Sequence, residues 1–248
     1  MQWLKSVSLM FVINLLFVVT ITAILVITGL IGFIGLAGFA LIFGFGGAFF
    51  SLYISKWLAK RMFKMQQITP NDTGVKRVLW SITEETAKRA GVPMPEIWLY
   101  ADIRPNAFAT GASRNSSMIA VSTGLCKIMD ETSLKGVIGH EMGHIANGDM
   151  LTTTLLMGLI NSYVIWLGNL VGRWLGSNFI TEFIITIVAE IGLSFLALIP
   201  ITAFSRRREY AADAFSAKIW SGESMMALRQ IEWVGGRMLW SGRALNWS

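Results

Sequence analysis

Both histidines of this chain lie in one stretch, His140-Glu141-Met142-Gly143-His144. Residues four apart share a face of a helix, so two imidazoles at this spacing can hold one metal ion while the glutamate beside the first reaches water held there. A chance match needs both histidines to fall four apart with a glutamate next, roughly one placement in a few thousand. The stretch is therefore read as a metal site with one zinc ion, and its chemistry as hydrolysis. Zinc lowers the pKa of a bound water towards about 7 and polarises a carbonyl. Glu141 would take the water's proton and return it to a leaving amine. Catalytic zinc usually has three protein ligands and one open position. With no third histidine and Cys126 far along the chain, a carboxylate is expected to complete the set. Glu209-Tyr210-Ala211-Ala212-Asp213 offers two acids four apart on one helical face.

Composition says where such a site must work. Of 248 residues, 54% are apolar and only 15% charged, whereas soluble domains carry about 25% charged residues. This is membrane composition, and the ten tryptophans suit side chains at a water–lipid boundary. The net charge of +6 raises nucleic acid as a partner. The basic residues cluster beside apolar runs, however, which topology and anionic lipid explain better, so no nucleic acid is expected as a partner. A single cysteine excludes an internal disulfide framework.

The elements that must position the motif follow from hydropathy. No charge occurs from Val7 to Ser55, enough for two passes at about 20 residues each. Spans are expected near 7–28 and 36–55, with glycines 29, 32, 35 and 38 around the turn. The run after Lys5 is read as an anchor and not a cleaved leader, since no small-residue cleavage site leads into a polar chain. Lys56, Lys60, Arg61 and Lys64 follow the second span, so the positive-inside rule places the next block in the cytoplasm. In that block a helix is predicted from Val75 to Gly91 with Asn71 or Asp72 as cap. Strands are predicted at Glu96–Tyr100 and Ser117–Thr123 with a loop at Asn106–Gly111 between them. The metal helix is predicted over Thr132–Asn147, stopped by Gly148. Two more apolar runs follow near 151–171 and 179–200, joined by Gly172–Asn178. An even number of spans returns Glu209 to the side of His144.

Taken together, His140–His144 followed by Ile-Ala-Asn-Gly-Asp149, the segment Asn106-Ala-Phe-Ala-Thr-Gly111, Ser205-Arg206 leading to Glu209-Tyr-Ala-Ala-Asp213, and the opening span pair resemble the HtpX heat-shock membrane protease family. The likeness extends over nearly the whole chain. It implies that His140, His144 and Glu209 ligate zinc, that Glu141 is the general base, and that Asp213 orients a ligand histidine. Family members commonly carry a histidine-proline-proline segment in a C-terminal region, and none occurs in these 248 residues.

The expected fold is mainly α with a small β component. It is an integral membrane protein with about four apolar spans and a cytoplasmic zincin-type metalloprotease domain. Its parts are an anchor (1–55), a protease region (56–150), a second membrane or buried hairpin (151–200) and a segment bearing the third ligand (201–248). The expected function is zinc-dependent cleavage of membrane or misfolded proteins at the cytoplasmic face of the inner membrane, in stress response and protein quality control. Arg206, Tyr210 and Asn147 are candidates for steadying the oxyanion. Ser117, Met118, Ile119, Ala120, Val121, Ser122 and Thr123 form the candidate strand for pairing with an extended peptide. Two other classes compete: a transporter or channel using Glu182 and Glu190, for which HExxH has no role, and an inactive scaffold, against which Glu141 stands. The spacing of Asn161, Asn169, Glu182 and Glu190 also predicts a ladder between the later spans. Pairs with a common index sum of 351, Asn161–Glu190 and Asn169–Glu182, would face each other. Oligomeric state carries no sequence signal.

Overall fold

The computed structural model describes residues 36–220 and two short strands at 231–234 and 237–240. The expected first span at 7–28 lies outside the described residues. Helix α1 covers Leu36–Phe63, strand β1 Gln66–Ile68, α2 Val75–Ala90, β2 Glu96–Tyr100, β3 Ala107–Gly111 and β4 Ser117–Ser122. Then come α3 (Thr123–Ile128), α4 (Glu131–Asn147), α5 (Asp149–Leu175) and α6 (Phe179–Trp220). The strands Ile231–Val234 (β5) and Arg237–Trp240 (β6) pair with each other as an antiparallel hairpin. Helices α1, α5 and α6 are each long and apolar enough to cross a membrane. The architecture is thus mainly helical with a small sheet, as expected.

Two compact units can be distinguished. The first takes residues 55–150 and those from 207 onward. Its sheet has the order β1-β2-β4-β3, with β2 and β4 parallel and both outer strands antiparallel to their neighbours. One face carries Ile68, Ile97, Leu99, Ile119 and Val121, which form a core with Leu79 and Ile82 of α2 and Ile138, Met142 and Ile145 of α4. The other face carries Tyr100, Met118 and Ala120, packed with Phe63, Ala59, Trp98 and Phe108. The last two turns of α1 cover this second face. Lys56 and Lys60 both bond the Glu96 carboxylate, at 2.7 and 2.8 Å, and Lys60 lies over the Trp98 ring.

Several local expectations change. Strand β4 is buried along its whole length and paired on both sides, so Ser117–Ser122 has no free edge for a peptide. Thr123 belongs to α3, and its hydroxyl donates to the Asp102 carbonyl. The sheet's outer strands are β1 and β3, and β3 lies within the segment predicted as a loop. Ala-Phe-Ala-Thr-Gly has little strand propensity of its own, and pairing with β4 supplies the order. Asp72 does not cap α2, which starts after Gly74; its carboxylate instead accepts from the Thr69 backbone at 2.7 Å. Helix α6 runs through Pro200 to Trp220, because proline removes only one backbone donor and a long helix keeps its remaining bonds.

The second unit comprises residues up to 54 and 151–206. Here the ladder of index sum 351 does not form. Asn169 donates its side-chain amide to the Ile165 carbonyl, and Glu182 lies 3.7 Å from Arg173. A different register holds the α5–α6 hairpin. Gly168 faces Glu190, Gly172 faces Thr186 and Gly176 faces Glu182, all with an index sum of 358. A Cβ at Gly168 would meet Glu190 Cγ at 2.5 Å, and one at Gly176 would meet the Glu182 Cα at 2.6 Å. Glycines four apart let the two backbones come close, and this close packing sets the register where polar pairing does not. The shift from 351 to 358 is seven residues, about two turns, so the same faces meet one step along. Glu190 is fully buried and Glu182 is engaged with Arg173, so the pair does not line an open polar path.

The register predicts a crosslinking pattern. In a Cys126→Ser background, Gly168→Cys with Glu190→Cys should form a disulfide under mild oxidation, read as a mobility shift on a gel. Asn161→Cys with Glu190→Cys should not, because those positions are about two turns out of step. The reverse pattern would restore the ladder.

Candidate metal centre

The site lies within the first unit and is made by three helix segments. Helix α4 begins with Asp130 as cap, its carboxylate accepting from the Ser133 backbone at 2.8 Å. Gly148 ends it in the left-handed conformation, φ 69°, a geometry that favours glycine. That reversal starts α5 at once with Asp149 and carries its carboxylate back to His144. Helix α6 packs antiparallel on α4 through small residues. Gly143 lies against Ala212, where a Cβ would come within 3.0 Å of the Ala212 Cα and 3.1 Å of its carbonyl oxygen. Gly139 lies against Ser216, whose hydroxyl donates to the Gly136 carbonyl at 2.9 Å. Trp220 closes the contact by donating to Thr86 of α2, while Arg89 lies over its ring.

This approach brings His140, His144 and Glu209 together, with one ligand atom from each inside a span of 4.8 Å. The two Nε2 atoms are 3.2 Å apart, and Glu209 Oε2 lies 3.3 Å from His140 Nε2 and 3.7 Å from His144 Nε2. Each remaining ring nitrogen meets a carboxylate: His140 Nδ1 lies 2.8 Å from Asp213 Oδ1 and His144 Nδ1 2.6 Å from Asp149 Oδ2. A carboxylate on Nδ1 fixes the tautomer that leaves Nε2 as a lone-pair donor and turns both rings towards one point. The donor set, two imidazole nitrogens and one carboxylate oxygen with both rings backed by acids, fits a divalent ion of the zinc type. Glu141 is half-buried on the same helix, next to His140.

Asp149 was absent from the residues singled out in the sequence, although it ends the quoted Ile-Ala-Asn-Gly-Asp segment. The glycine stop before it was the available signal, since an αL residue there folds the next side chain back under the last helical turn. Asp149 is buried and also lies 3.5 Å from Arg208 Nε. Of the arginine run it is Arg208, half-buried, that meets an acid of the site, while Arg206 is exposed. Asn147 and Tyr210 are exposed too, so neither is held against the cluster by packing.

Without an ion, the acids hold protons on the rings. Burial alone would favour neutral imidazoles. Hydrogen bonds to Asp213 and Glu209 outweigh it at His140, which is pushed up to about 10. Asp149 and Glu209 do the same for His144, pushed up to about 9. Burial would also raise Glu209, which lies beyond the apolar part of α6, yet its bonds to the two rings hold it far below the usual carboxylate range.

Residues 75–240, which contain all of these side chains, match the model for peptidase family M48. The chain belongs to that family. A curated relative, Protease HtpX of Thioalkalivibrio sulfidiphilus (strain HL-EbGR7), is 40% identical over 191 residues, covering 74% of this chain and 65% of the relative. Protease HtpX of Stenotrophomonas maltophilia (strain R551-3) is 42% identical over 193 residues, covering 74% and 67%. The match thus spans about two thirds of the length of these HtpX relatives. The crystal structure of Ste24p from S. mikatae aligns with a TM-score of 0.61 over 85% of this chain and 57% of that one. At 19% identity that likeness shows a shared fold. Three apolar helices and these relatives make the M48 chain a membrane protein.

Two outcomes follow for the centre. Gly143→Ala should push the α6 backbone away and weaken metal binding by about tenfold or more while helix content by circular dichroism stays the same; unchanged affinity would mean that the approach is not set there. Metal uptake must also displace the ring protons. The acids raise both rings well above the ordinary imidazole value, so affinity should go on climbing as pH rises past 6.5 and not level off there. Calorimetry with zinc at pH 7, in buffers of different ionisation enthalpy, should report net proton release on binding.

Proposed function

We propose that this chain is a membrane-bound zinc endopeptidase that hydrolyses peptide bonds of membrane or misfolded proteins at the cytoplasmic face. The observation that carries the reading is the convergence of His140 Nε2, His144 Nε2 and Glu209 Oε2, with Glu141 adjacent and an acid behind each ring. His140, His144 and Glu209 would hold the ion. Bound there, zinc supplies Lewis-acid polarisation of the scissile carbonyl and acidifies water.

The protein's own groups do the rest. Glu141 accepts a proton from the attacking water and delivers it to the leaving nitrogen, which couples bond cleavage to proton transfer. Asp213 and Asp149 keep the rings neutral at Nε2 once metal is present, by accepting from Nδ1. Arg208 offsets part of the Asp149 charge and holds that carboxylate beneath His144. Substrate backbone would pair with β3, the outer strand of the sheet that lies against α4. The Ser122 N–H donates to the Asn106 carbonyl at 2.9 Å. By the alternation of an antiparallel ladder, Ala107 and Ala109 then point their N–H and C=O groups to the open edge.

The cytoplasmic orientation rests on Lys56, Lys60, Arg61 and Lys64 after the charge-free stretch, and on the return of the chain after α5 and the apolar part of α6. An anchor over 1–55, a protease region over 56–150, a membrane hairpin over 151–200 and a ligand-bearing segment over 201–248 are the corresponding parts. The inner membrane is the compartment in which such a site meets membrane and misfolded proteins, as stress response and quality control require.

Glu141→Gln should keep its zinc, measured by plasma emission, and lose at least about a thousandfold in cleavage rate. Glu209→Ala should instead purify with reduced metal. Full occupancy of Glu209→Ala would remove it from the ligand set, and an active Glu141→Gln would remove the base. Ala109→Pro deletes an edge N–H without touching the β3–β4 ladder, so it should raise KM with metal content unchanged.

A further inference from the structure

Small residues let α6 come close to α4, but they do not fix where along α4 it stops. At Gly143 and Gly139 the facing residues are Ala212 and Ser216, and a contact without large side-chain ridges offers little resistance to a slide. The site tolerates none. Three donors bound to one zinc ion at about 2.0–2.1 Å stand roughly 3.3 Å apart. Glu209 Oε2 lies 3.3 Å from His140 Nε2 and 3.7 Å from His144 Nε2. A slide of one residue moves a side chain by about 1.5 Å along the axis, and a turn of one residue swings it through about 100°. The third ligand needs a stop, and the stop stands three turns away at Trp220.

Trp220 is the last residue of α6 and sits where α2, α4 and α6 meet. Its Cδ1 lies 3.0 Å from the place a Cβ on Gly139 would take, so the indole rests on α4 in the notch left by that glycine. Its Nε1 donates to Thr86 Oγ1 of α2 at 3.1 Å. Thr86 is fully buried and gives its own proton to the Ile82 carbonyl at 2.6 Å, so its oxygen stands there as a fixed acceptor. Arg89 covers the ring at 4.4 Å and donates to the Ile219 carbonyl at 3.0 Å, one of those that a helix end leaves unpaired. Lys135 of α4 lies 5.4 Å from the same ring. Helix α2 is itself tied to α4, since Leu79 and Ile82 share one core with Ile138 and Met142. A bond from Trp220 to α2 therefore fixes α6 against the helix that carries His140 and His144.

We propose that Trp220 is a positioning residue for the metal centre: its indole N–H on Thr86 and its ring in the Gly139 notch set the slide and rotation of α6, so that Glu209 meets His140 and His144. The proposal rests on the reading of those three side chains as metal ligands and deepens it. From Glu209 to Trp220 is about 16 Å along one continuous helix, close to three full turns. Both residues consequently project from nearly the same face, the one that meets α4. Holding the end of the helix holds its ligand. Indole suits the place because it is a large ring whose one polar group is a donor. Phenylalanine would fill the notch and leave Thr86 without that donor, and alanine would remove both contacts.

The test uses the full chain in detergent micelles, stripped of metal and titrated with zinc against a chromophoric chelator. Trp220→Ala should weaken zinc binding at least about tenfold, and Trp220→Phe or Thr86→Val about two- to threefold. Met118→Ala acts in the cluster on the sheet's other face, which includes no residue of α6, and should lower the melting temperature with zinc affinity unchanged. The decisive comparison is made in a Glu209→Ala background, where a residue acting through Glu209 has nothing left to position. There Trp220→Ala should change affinity by less than about twofold. Equal weakening with and without Glu209 would overturn the proposal. Cobalt in place of zinc reads the ligand set directly. The visible bands of Trp220→Ala should move towards those of Glu209→Ala, and bands unchanged from the parent chain would count against the idea. Should Trp220→Ala fail to fold, the same cycle with Trp220→Phe decides: a weakening that persists without Glu209 sinks the proposal, and one that vanishes supports it. If Glu209→Ala loses zinc affinity while Trp220→Ala keeps it, the ligand reading stands and this proposal falls. If Glu209→Ala keeps its affinity, the ligand reading falls and takes the proposal with it.

Discussion

Everything at the metal centre depends on how closely α6 can lie on α4. The contact is made at Gly139 and Gly143, where Ser216 and Ala212 occupy the space that a side chain would need. A helix pair held apart by ordinary side chains sits 8 to 10 Å between axes. With glycine on one side, and alanine and serine on the other, the gap narrows until a carboxylate from α6 reaches ring nitrogens on α4. Gly143 lies inside the HExxH stretch itself. The motif thus encodes its own packing surface along with its candidate ligands, since the residue before His144 is the one that admits the partner helix.

Electrostatics then acts on what packing has assembled. Two rings stand among Asp149, Glu209 and Asp213, all from helices that meet at this contact. Three acids against two rings leave a net negative site when the rings are neutral, a charge that a dication neutralises. The raised ring pKa values express the same field: whatever positive charge is available, proton or metal, is drawn to Nε2. Asp149 gains further from the first turn of α5, where the backbone donors of the helix start favour an acid.

Glycine serves the apolar α5–α6 hairpin by the same rule. Gly168, Gly172 and Gly176 bring α5 and α6 together, with Glu190, Thr186 and Glu182 opposite. Between two helices apolar on all sides, hydrophobic burial distinguishes little between one face and another, so backbone proximity decides the register. Polar residues such as Asn169 and Ser194 satisfy themselves on their own helices, bonding the carbonyls of Ile165 and Glu190 one turn back. Their regular spacing is thus a poor guide to which partners they meet.

What the sequence determined by itself is whatever local chemistry dictates: the HExxH helix with its Gly148 stop, α2 up to Gly91, the strand at Glu96–Tyr100, and membrane composition. These follow from ligand spacing, helix caps and hydropathy, all readable within about twenty neighbours. Only the tertiary structure decided that β3 and not β4 is an outer strand, that the hairpin register is 358, and that Asp149 and Arg208 stand behind His144. Each of those depends on partners far away in the sequence. Ala107–Gly111 becomes a strand because β4 pairs with it, and α6 passes Pro200 because the rest of its backbone bonds remain. A one-residue pattern cannot encode an edge, since edge or interior is a property of what lies alongside. The closeness of α4 and α6 is likewise visible only when both glycines and the small residues facing them are seen at once.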